Sequence, residues 1–298
     1  MINTNKQILK GTLFAIIAGV MWGISGIFGQ LFFRDYQGDP LWITSTRLTV
    51  AGILLLGLAF VRNQKHLFEV WKTPKNIPLL LFYAIGGVFS VQYFYYLAIE
   101  LANSATATIL QYVAPVFVML YLLIFKKQVP SLKSVIYVSF AMFGVFLLIT
   151  GGNVSRLSVS PLALGAGLLS AVAVVVYAIA PRPLLHRYGS LTMTGWGMLI
   201  AGVGSNILHP VWQPGFRLDL LSFFYVATIS VVGTAIAFLL LLRAYQLISP
   251  LVVTVSTASE PLTAVFVSVF AFELRLTGLS VTAIILVIVS VILLSRSE

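Results

Sequence analysis

The sequence predicts an all-α polytopic membrane protein, with ten transmembrane helices arranged as two inverted five-helix repeats. Three observations carry this. The chain is 59% hydrophobic and 9% charged, with a mean hydropathy of +1.02, more apolar surface than a water-soluble domain of this length keeps in solution. Ten apolar runs, each near the roughly 20 helical residues that cross a hydrocarbon core, lie between polar or Gly/Pro breaks. A proline stands inside two of those runs, Pro115 and Pro261, 146 positions apart.

The first run, Gly11 to Phe33, follows Lys6 and Lys10. It is too long for the apolar core of a secretory signal and lacks a convincing cleavage site, so it reads as a retained helix. Trp22 lies in it among Gly19, Gly23 and Gly26. The second run, Trp42 to Val61, holds Arg47 about one turn in, where a long stem snorkels to the surface and packs; recognition of a solute carboxylate is the alternative role. The connection Arg62 to Asn76, with Lys65, Lys72 and Lys75, is the longest and reads as a solvated segment. The third run, Ile77 to Leu97, contains Gly86 and Gly87, then Gln92, Tyr93, Tyr95 and Tyr96. Gln92, Tyr96 and Glu100 share one helical face, although an interfacial aromatic belt is a competing role for Tyr95 and Tyr96.

The fourth and fifth runs are Ala105 to Phe125 and Leu132 to Thr150. Gly151 to Ser160, rich in Gly and Ser, marks the boundary between a first half, 1–150, and a second, 151–298. Then come Leu162 to Ala180 with Tyr177, Leu191 to Leu208 with Gly195, Gly197, Gly202 and Gly204, Leu220 to Leu242, Leu251 to Phe272, and Leu276 to Leu294. Small residues within these runs let helix backbones approach closely.

Charge placement sets the orientation. With a cytoplasmic N-terminus and alternating loops, 13 of the 18 Lys/Arg fall inside, and only Arg34, Arg156, Arg217 and Arg275 outside. This positive-inside bias predicts a multi-pass protein of the cytoplasmic membrane with both termini in the cytoplasm. It also accounts for the net charge of +10 without nucleic acid as a partner. The chain has no cysteine, which excludes disulfides and thiolate chemistry. His66, His186 and His209 show no paired spacing, so neither a metal site nor a cofactor is expected.

Residues 98–148 lie on 244–294 without a gap, pairing Thr108 with Thr254 and Pro115 with Pro261. Because each half has five spans, an odd number, the second half starts on the opposite side and the repeat is inverted. Lys127 and Glu273 are paired by that offset, and opposite charge at equivalent positions on opposite sides fits the positive-inside rule. The first helices align at an offset of about 152, which places Ala18 and Trp22 on Ser170 and Val174. Duplicated halves around a midplane site are the build of many transporters.

Proline in a helix removes a hydrogen bond and frees the carbonyl four residues earlier, here those of Gln111 and Thr257. In lipid such backbone must face protein or a wet cavity. Thr108, Gln111 and Tyr112 cluster beside Pro115, as do Thr254, Ser256, Thr257 and Glu260 beside Pro261. Back-bonding to their own helix is the alternative for Thr108 and Thr254. Glu260 is the one acidic residue deep inside a predicted span. A charge there is costly and marks a functional hypothesis: a proton-coupling carboxylate, a group that binds a solute ammonium, or a structural cap. The candidate binding set is Trp22, Gln92, Tyr96, Gln111, Tyr112, Tyr177, Thr257 and Glu260, with Pro115 and Pro261 as helix kinks. Aromatic bodies with polar tips suit an amphipathic organic solute better than a bare ion.

Ala18-x-x-x-Trp22-Gly23, Tyr96-x-Ala98 leading into Ser104-Ala105 and Pro115, and Glu260-Pro261 followed by Glu273 resemble the EamA family of the drug/metabolite transporter superfamily over nearly the whole chain. Lys127, where an acidic residue is common, and Val174, where Trp is common, depart from the pattern. The resemblance implies an alternating-access carrier of small organic molecules, with a cavity framed by the first, third, fourth, sixth, eighth and ninth helices. It also implies export of an amino acid or related metabolite; protons are a candidate coupling ion on the separate ground of Glu260. An exporter of drugs or other cationic, amphipathic solutes is the alternative. A channel or a membrane sensor is a less favoured alternative: no charged ring or filter segment is present to select ions, and the loops leave little room for a partner-binding domain. An intramembrane enzyme would need a His/Asp pair, a Ser-His arrangement or an HExxH, which the sequence lacks.

Overall fold

The computed structural model describes residues 2–62, 67–102, 104–153, 160–272 and 277–296. Lys65, His66, Arg156, Glu273, Arg275 and the start of the tenth run at Leu276 lie outside the described residues. Within them the regular structure is helical. Seven helices are long and apolar enough to cross a membrane, alongside shorter apolar ones. They are α1 (Ile2–Tyr36), α2 (Pro40–Val61), α3 (Pro74–Leu101), α4 in two segments (Ser104–Gln111 and Ala114–Lys126), α5 (Leu132–Thr150), α6 (Pro161–Ile179), α7 (Ser190–Leu208), α8 (Leu220–Leu247), α9 in two segments (Pro250–Ser256 and Ser259–Phe272) and α10 (Gly278–Arg296). A short helix, Arg182–Tyr188, joins α6 to α7.

Local chemistry sets several starts. Asp39 caps α2, its carboxylate accepting from Trp42 N–H, and Pro40 follows at the first helical position. Ser160-Pro161 opens α6 and Ser249-Pro250 opens α9 in the same way. Each cap oxygen satisfies an N–H without an intrahelical partner, and the proline gives up a donor that would have none.

Packing follows the duplication. Under the exchange of α1–α5 for α6–α10, the contacts α2–α7, α4–α9 and α5–α10 map onto themselves. Contact α1–α8 maps onto α6–α3, and α1–α9 onto α6–α4. The closest backbones are those of α2 and α7, where a Cβ on Gly202 would lie 2.6 Å from Thr49 N and one on Gly52 2.5 Å from Leu199 N. Gly144 of α5 nests against the Ala283 carbonyl of α10.

Irregularities are duplicated too. A π-helical segment, Tyr83–Phe89, interrupts α3, and another, Val231–Ile236, interrupts α8. In each, a hydroxyl donates to the carbonyl five residues earlier: Ser90 Oγ to Ile85 O at 2.8 Å and Thr234 Oγ1 to Ile229 O at 2.8 Å. Gly87 and Gly233, 146 apart, let α6 and α1 respectively press against these segments.

The connection expected to be solvated is folded in. Leu67 and Val70 are buried, Trp196 Nε1 donates to Leu67 O at 2.7 Å, and the Trp71 and Trp196 rings meet edge to face. Apolar Leu67, Val70 and Trp71 outweigh the flanking lysines and close this face of the bundle.

The opposite face, called outer here after the charge bias, is closed by an aromatic cluster in which Trp42 packs between Phe32 and Phe216. Tyr36 donates to Asp219 Oδ1 at 2.6 Å, Tyr225 to Asp35 Oδ2 at 3.2 Å, and Trp42 Nε1 to Val211 O at 3.1 Å. Asp219 also caps α8 through the Ser222 N–H. That N–H first, then the Tyr36 hydroxyl, holds its carboxyl below the usual range.

Two measurements on detergent-purified protein check this packing. Gly202→Ala is expected to cost about 1–3 kcal/mol by overpacking and to lower the unfolding temperature, whereas Gly204→Ala, facing open space, is expected to be neutral or stabilising. For Asp219, a lowered folded pKa means its contribution is complete above the ordinary carboxylate pKa and is lost as pH falls through the folded value. The unfolding temperature should therefore drop on acidification below the carboxylate range, and Asp219→Asn, which can still cap, should flatten that part of the profile.

Candidate functional site

Both prolines mark interruptions rather than bends of a continuous helix. The first segment of α4 ends at Gln111 and the second starts at Ala114, while α9 stops at Ser256 and resumes at Ser259. Pro115 and Pro261 thus fall in the first turn of a new segment, where a missing N–H costs little. The Thr257 carbonyl, expected to be freed, instead accepts from Glu260 N–H at 2.9 Å, a tight turn that closes the gap locally. Tyr112, at the α4 break, donates to Val255 O beside the α9 break at 2.8 Å. The two interruptions face each other and are tied by one hydroxyl.

Around them lies a cavity between the halves. Trp22, Gln92, Tyr96 and Gln111 line it, as do Tyr112, Tyr177, Thr257 and Glu260, together with Pro115. Pro261 does not line it. Glu100, on the same face as Gln92 and Tyr96 in sequence, is exposed at the helix end. Trp22 and Val174, aligned at the shift of 152, both reach the cavity, so the missing Trp on α6 makes the wall uneven. Its helices are α1, α2, α3, α4, α6, α8 and α9; α2 is an addition to the expected frame, and Arg47 is its contribution.

Several of the polar residues have specific attachments. Gln111 Nε2 donates to Ser170 Oγ at 2.5 Å, and Ser170 donates onward to Val91 O at 3.0 Å, linking the α4 break to α6 and α3. Tyr177 donates to Phe238 O at 3.3 Å, and its ring packs edge on against Phe238, which also receives the Trp22 ring. Thr254 back-bonds to Pro250 O at 2.9 Å and Thr257 to Thr254 O at 2.8 Å.

Glu260 sits in the first turn of the second α9 segment, where exposed N–H groups and the helix dipole favour a carboxylate. Tyr95 donates to its Oε1 at 3.1 Å. Because that hydroxyl has one hydrogen, Thr108 Oγ1, 3.0 Å from it, is the donor to Tyr95. The close fit of α1 against this break needs glycine: a Cβ on Gly23 would lie 2.6 Å from the Glu260 carbonyl, and Gly19 faces Thr257 O at 2.9 Å.

Arg47 overturns the snorkelling expectation. It is 3% exposed and points inward. Nε donates to Thr234 Oγ1 at 2.7 Å, Nη2 donates to Gly233 O at 3.1 Å, and the guanidinium stacks 4.8 Å above the Tyr96 ring. The attraction comes from the α8 π segment, which offers a hydroxyl and a carbonyl inside the protein that no sequence period announces. Tyr95 and Tyr96 likewise face the cavity rather than an interfacial belt. Sequence reasoning also passed over Ser25 and Thr234; spacing alone gave no signal for either. Among the described residues no cluster of His, Cys, Asp or Glu has a metal-binding arrangement.

The comparisons with known proteins agree with this architecture. The model of the EamA-like transporter family matches twice, at residues 9–150 and 161–296. The chain is 32% identical over 292 residues to the uncharacterized inner membrane transporter YicL of Salmonella typhimurium, covering 96% of this chain and 95% of that protein. It is 24% identical over 209 residues to an uncharacterized transporter of Archaeoglobus fulgidus, 70% of each chain. A solved crystal structure superposes with a TM-score of 0.77 at 19% identity, covering 96% of this chain and 98% of the other, a likeness of fold. A family model that matches both halves, and a relative alike from end to end, place this chain in the EamA-like transporter family.

Proposed function

We propose that this chain is an alternating-access carrier of the cytoplasmic membrane that moves a small organic metabolite, an amino acid or related compound, outward. The observation that carries the reading is the cavity itself. It lies where two broken helices face each other, between halves whose contacts interchange. Halves 1–150 and 151–298 then rock about it with both termini in the cytoplasm. Trp22, Tyr96, Tyr112 and Tyr177 provide aromatic walls, Gln92, Gln111 and Thr257 provide polar contacts, and the breaks at Pro115 and Pro261 give the helices room to reorient. Outward movement follows the exporters of this family. Glu260 is the coupling carboxylate, exchanging a proton as access alternates, since it is an ionisable group in the cavity wall on a broken helix. Export of a cationic, amphipathic solute is the second reading, favoured by the same carboxylate among aromatic rings.

Purified protein in liposomes is expected to exchange labelled amino acids with saturation; flux that rises linearly with concentration would mean a channel. A pH gradient should accelerate net movement in the parent. Glu260→Gln should lose that acceleration by about tenfold or more, as expected when an ionised hydrogen-bonding group is removed, while keeping equilibrium exchange. A parent indifferent to the gradient, or a variant that responds like the parent, would sink proton coupling through Glu260.

A further inference from the structure

One end of the cavity is lined by donors. Arg47 is buried and, among the described residues, takes part in no ion pair. Nε and Nη2 donate to neutral oxygens on α8 and Tyr96 also bonds the guanidinium, partners that are all uncharged and do not use up the five N–H donors of the fork. Ser25 Oγ and Gln92 Nε2 line the same cavity, buried and without a hydrogen-bond partner. The three groups converge. Gly233 gives its carbonyl to Arg47, and Ser25 Oγ occupies the place a Cβ on Gly233 would take. Tyr96, one helical turn after Gln92, lies under the guanidinium.

We propose that Arg47, with Ser25 and Gln92, forms the pole that holds a carboxylate of the transported solute and selects carboxylate-bearing solutes over organic cations. The inference rests on the carrier reading and names the solute chemistry of that same cavity. A buried cation is expensive when no counter-charge is hydrogen-bonded to it, and Glu260 acts on Arg47 only through space; orphaned donors beside it raise the cost. An acceptor-rich anion relieves both at once. A guanidinium fork matches a carboxylate bidentately. A phosphate dianion fits poorly, because among the described residues Arg47 is the one cation in the cavity wall and Glu260 shares that wall. Glu260 does not itself fill the role, being bonded to Tyr95 rather than paired with Arg47. The arrangement has one copy: it belongs to α2 against the α8 π segment, whereas on α7 the ring of Tyr83 fills the approach to Gly197.

The test is binding, independent of flux. Detergent-purified protein is titrated with 3-phenylpropionate, L-phenylalanine, L-phenylalaninamide and phenethylamine, read by thermal shift and intrinsic fluorescence. The aliphatic series 4-methylpentanoate, leucine, leucinamide and isoamylamine is run in parallel. In at least one series the carboxylates are expected to bind about tenfold or more tightly than the matched amide and amine. Arg47→Gln should erase the difference, and Arg47→Lys, with charge but no fork, should recover part of it. Because Arg47→Gln also cuts the link from α2 to α8, Gln92→Leu serves as a second variant, which leaves that link intact and should weaken carboxylate binding about threefold to tenfold. Amides or amines that bind as tightly as the carboxylates, or no carboxylate-dependent shift in either series, overturn the carboxylate pole and leave the carrier reading standing. Carboxylate binding without saturable flux in liposomes does the reverse.

Discussion

In a bilayer every backbone N–H and C=O has to be satisfied from within the protein, and this chain departs from the unbroken helix four times. Each departure is met by a partner, from a neighbouring helix or from its own. The α4 break lends Tyr112 to the α9 break, and the α9 break recovers Thr257 O through its own turn. The π segments of α3 and α8 borrow Ser90 and Thr234. The cavity lies at the breaks of α4 and α9, whose residues line it on both sides. Glycines then set how closely the regular helices approach that space, Gly19 and Gly23 at the α9 break and Gly233 beside Ser25.

Two-fold packing does not impose two-fold chemistry. Pairing of helices repeats across the halves, but the cavity carries its cation on α2 and its carboxylate on α9, and Ala114 stands where Glu260 would be mirrored. Side chains on duplicated scaffolds diverge freely because the packing constraint is on volume and backbone approach, leaving polarity open. On the proposed reading, the cation and the carboxylate would orient an asymmetric solute in a frame that is itself nearly symmetric.

Much of this was legible in the residues. Apolar runs located the helices, the offset of 146 revealed the duplication, and Pro115 and Pro261 located the breaks. The eight candidate residues meet at one cavity, though their roles in binding are proposals. What stayed hidden was whatever depends on a partner's backbone. Arg47 near a helix end looks like a snorkelling side chain until Gly233 O and Thr234 Oγ1 are seen to await it. The π segments have no period of their own; their trace is the pair Gly87 and Gly233. The folded connection after α2 was obscured by its lysines, since four apolar residues, Leu67, Phe68, Val70 and Trp71, within a basic stretch give little signal until Trp196 is found to hold one of them.

The file of hydroxyls from Thr108 through Tyr95 to Glu260 has a direction. Tyr95 owns a single hydrogen, and while the carboxylate accepts it, Thr108 must offer its own. A carboxylic acid in the same place would become a donor, and the file would be free to run the other way, returning the Thr108 hydroxyl to the carbonyls of its own helix. The state of one carboxyl on α9 would thus be written into the local bonding of α4, across the cavity and without any displacement of the main chain.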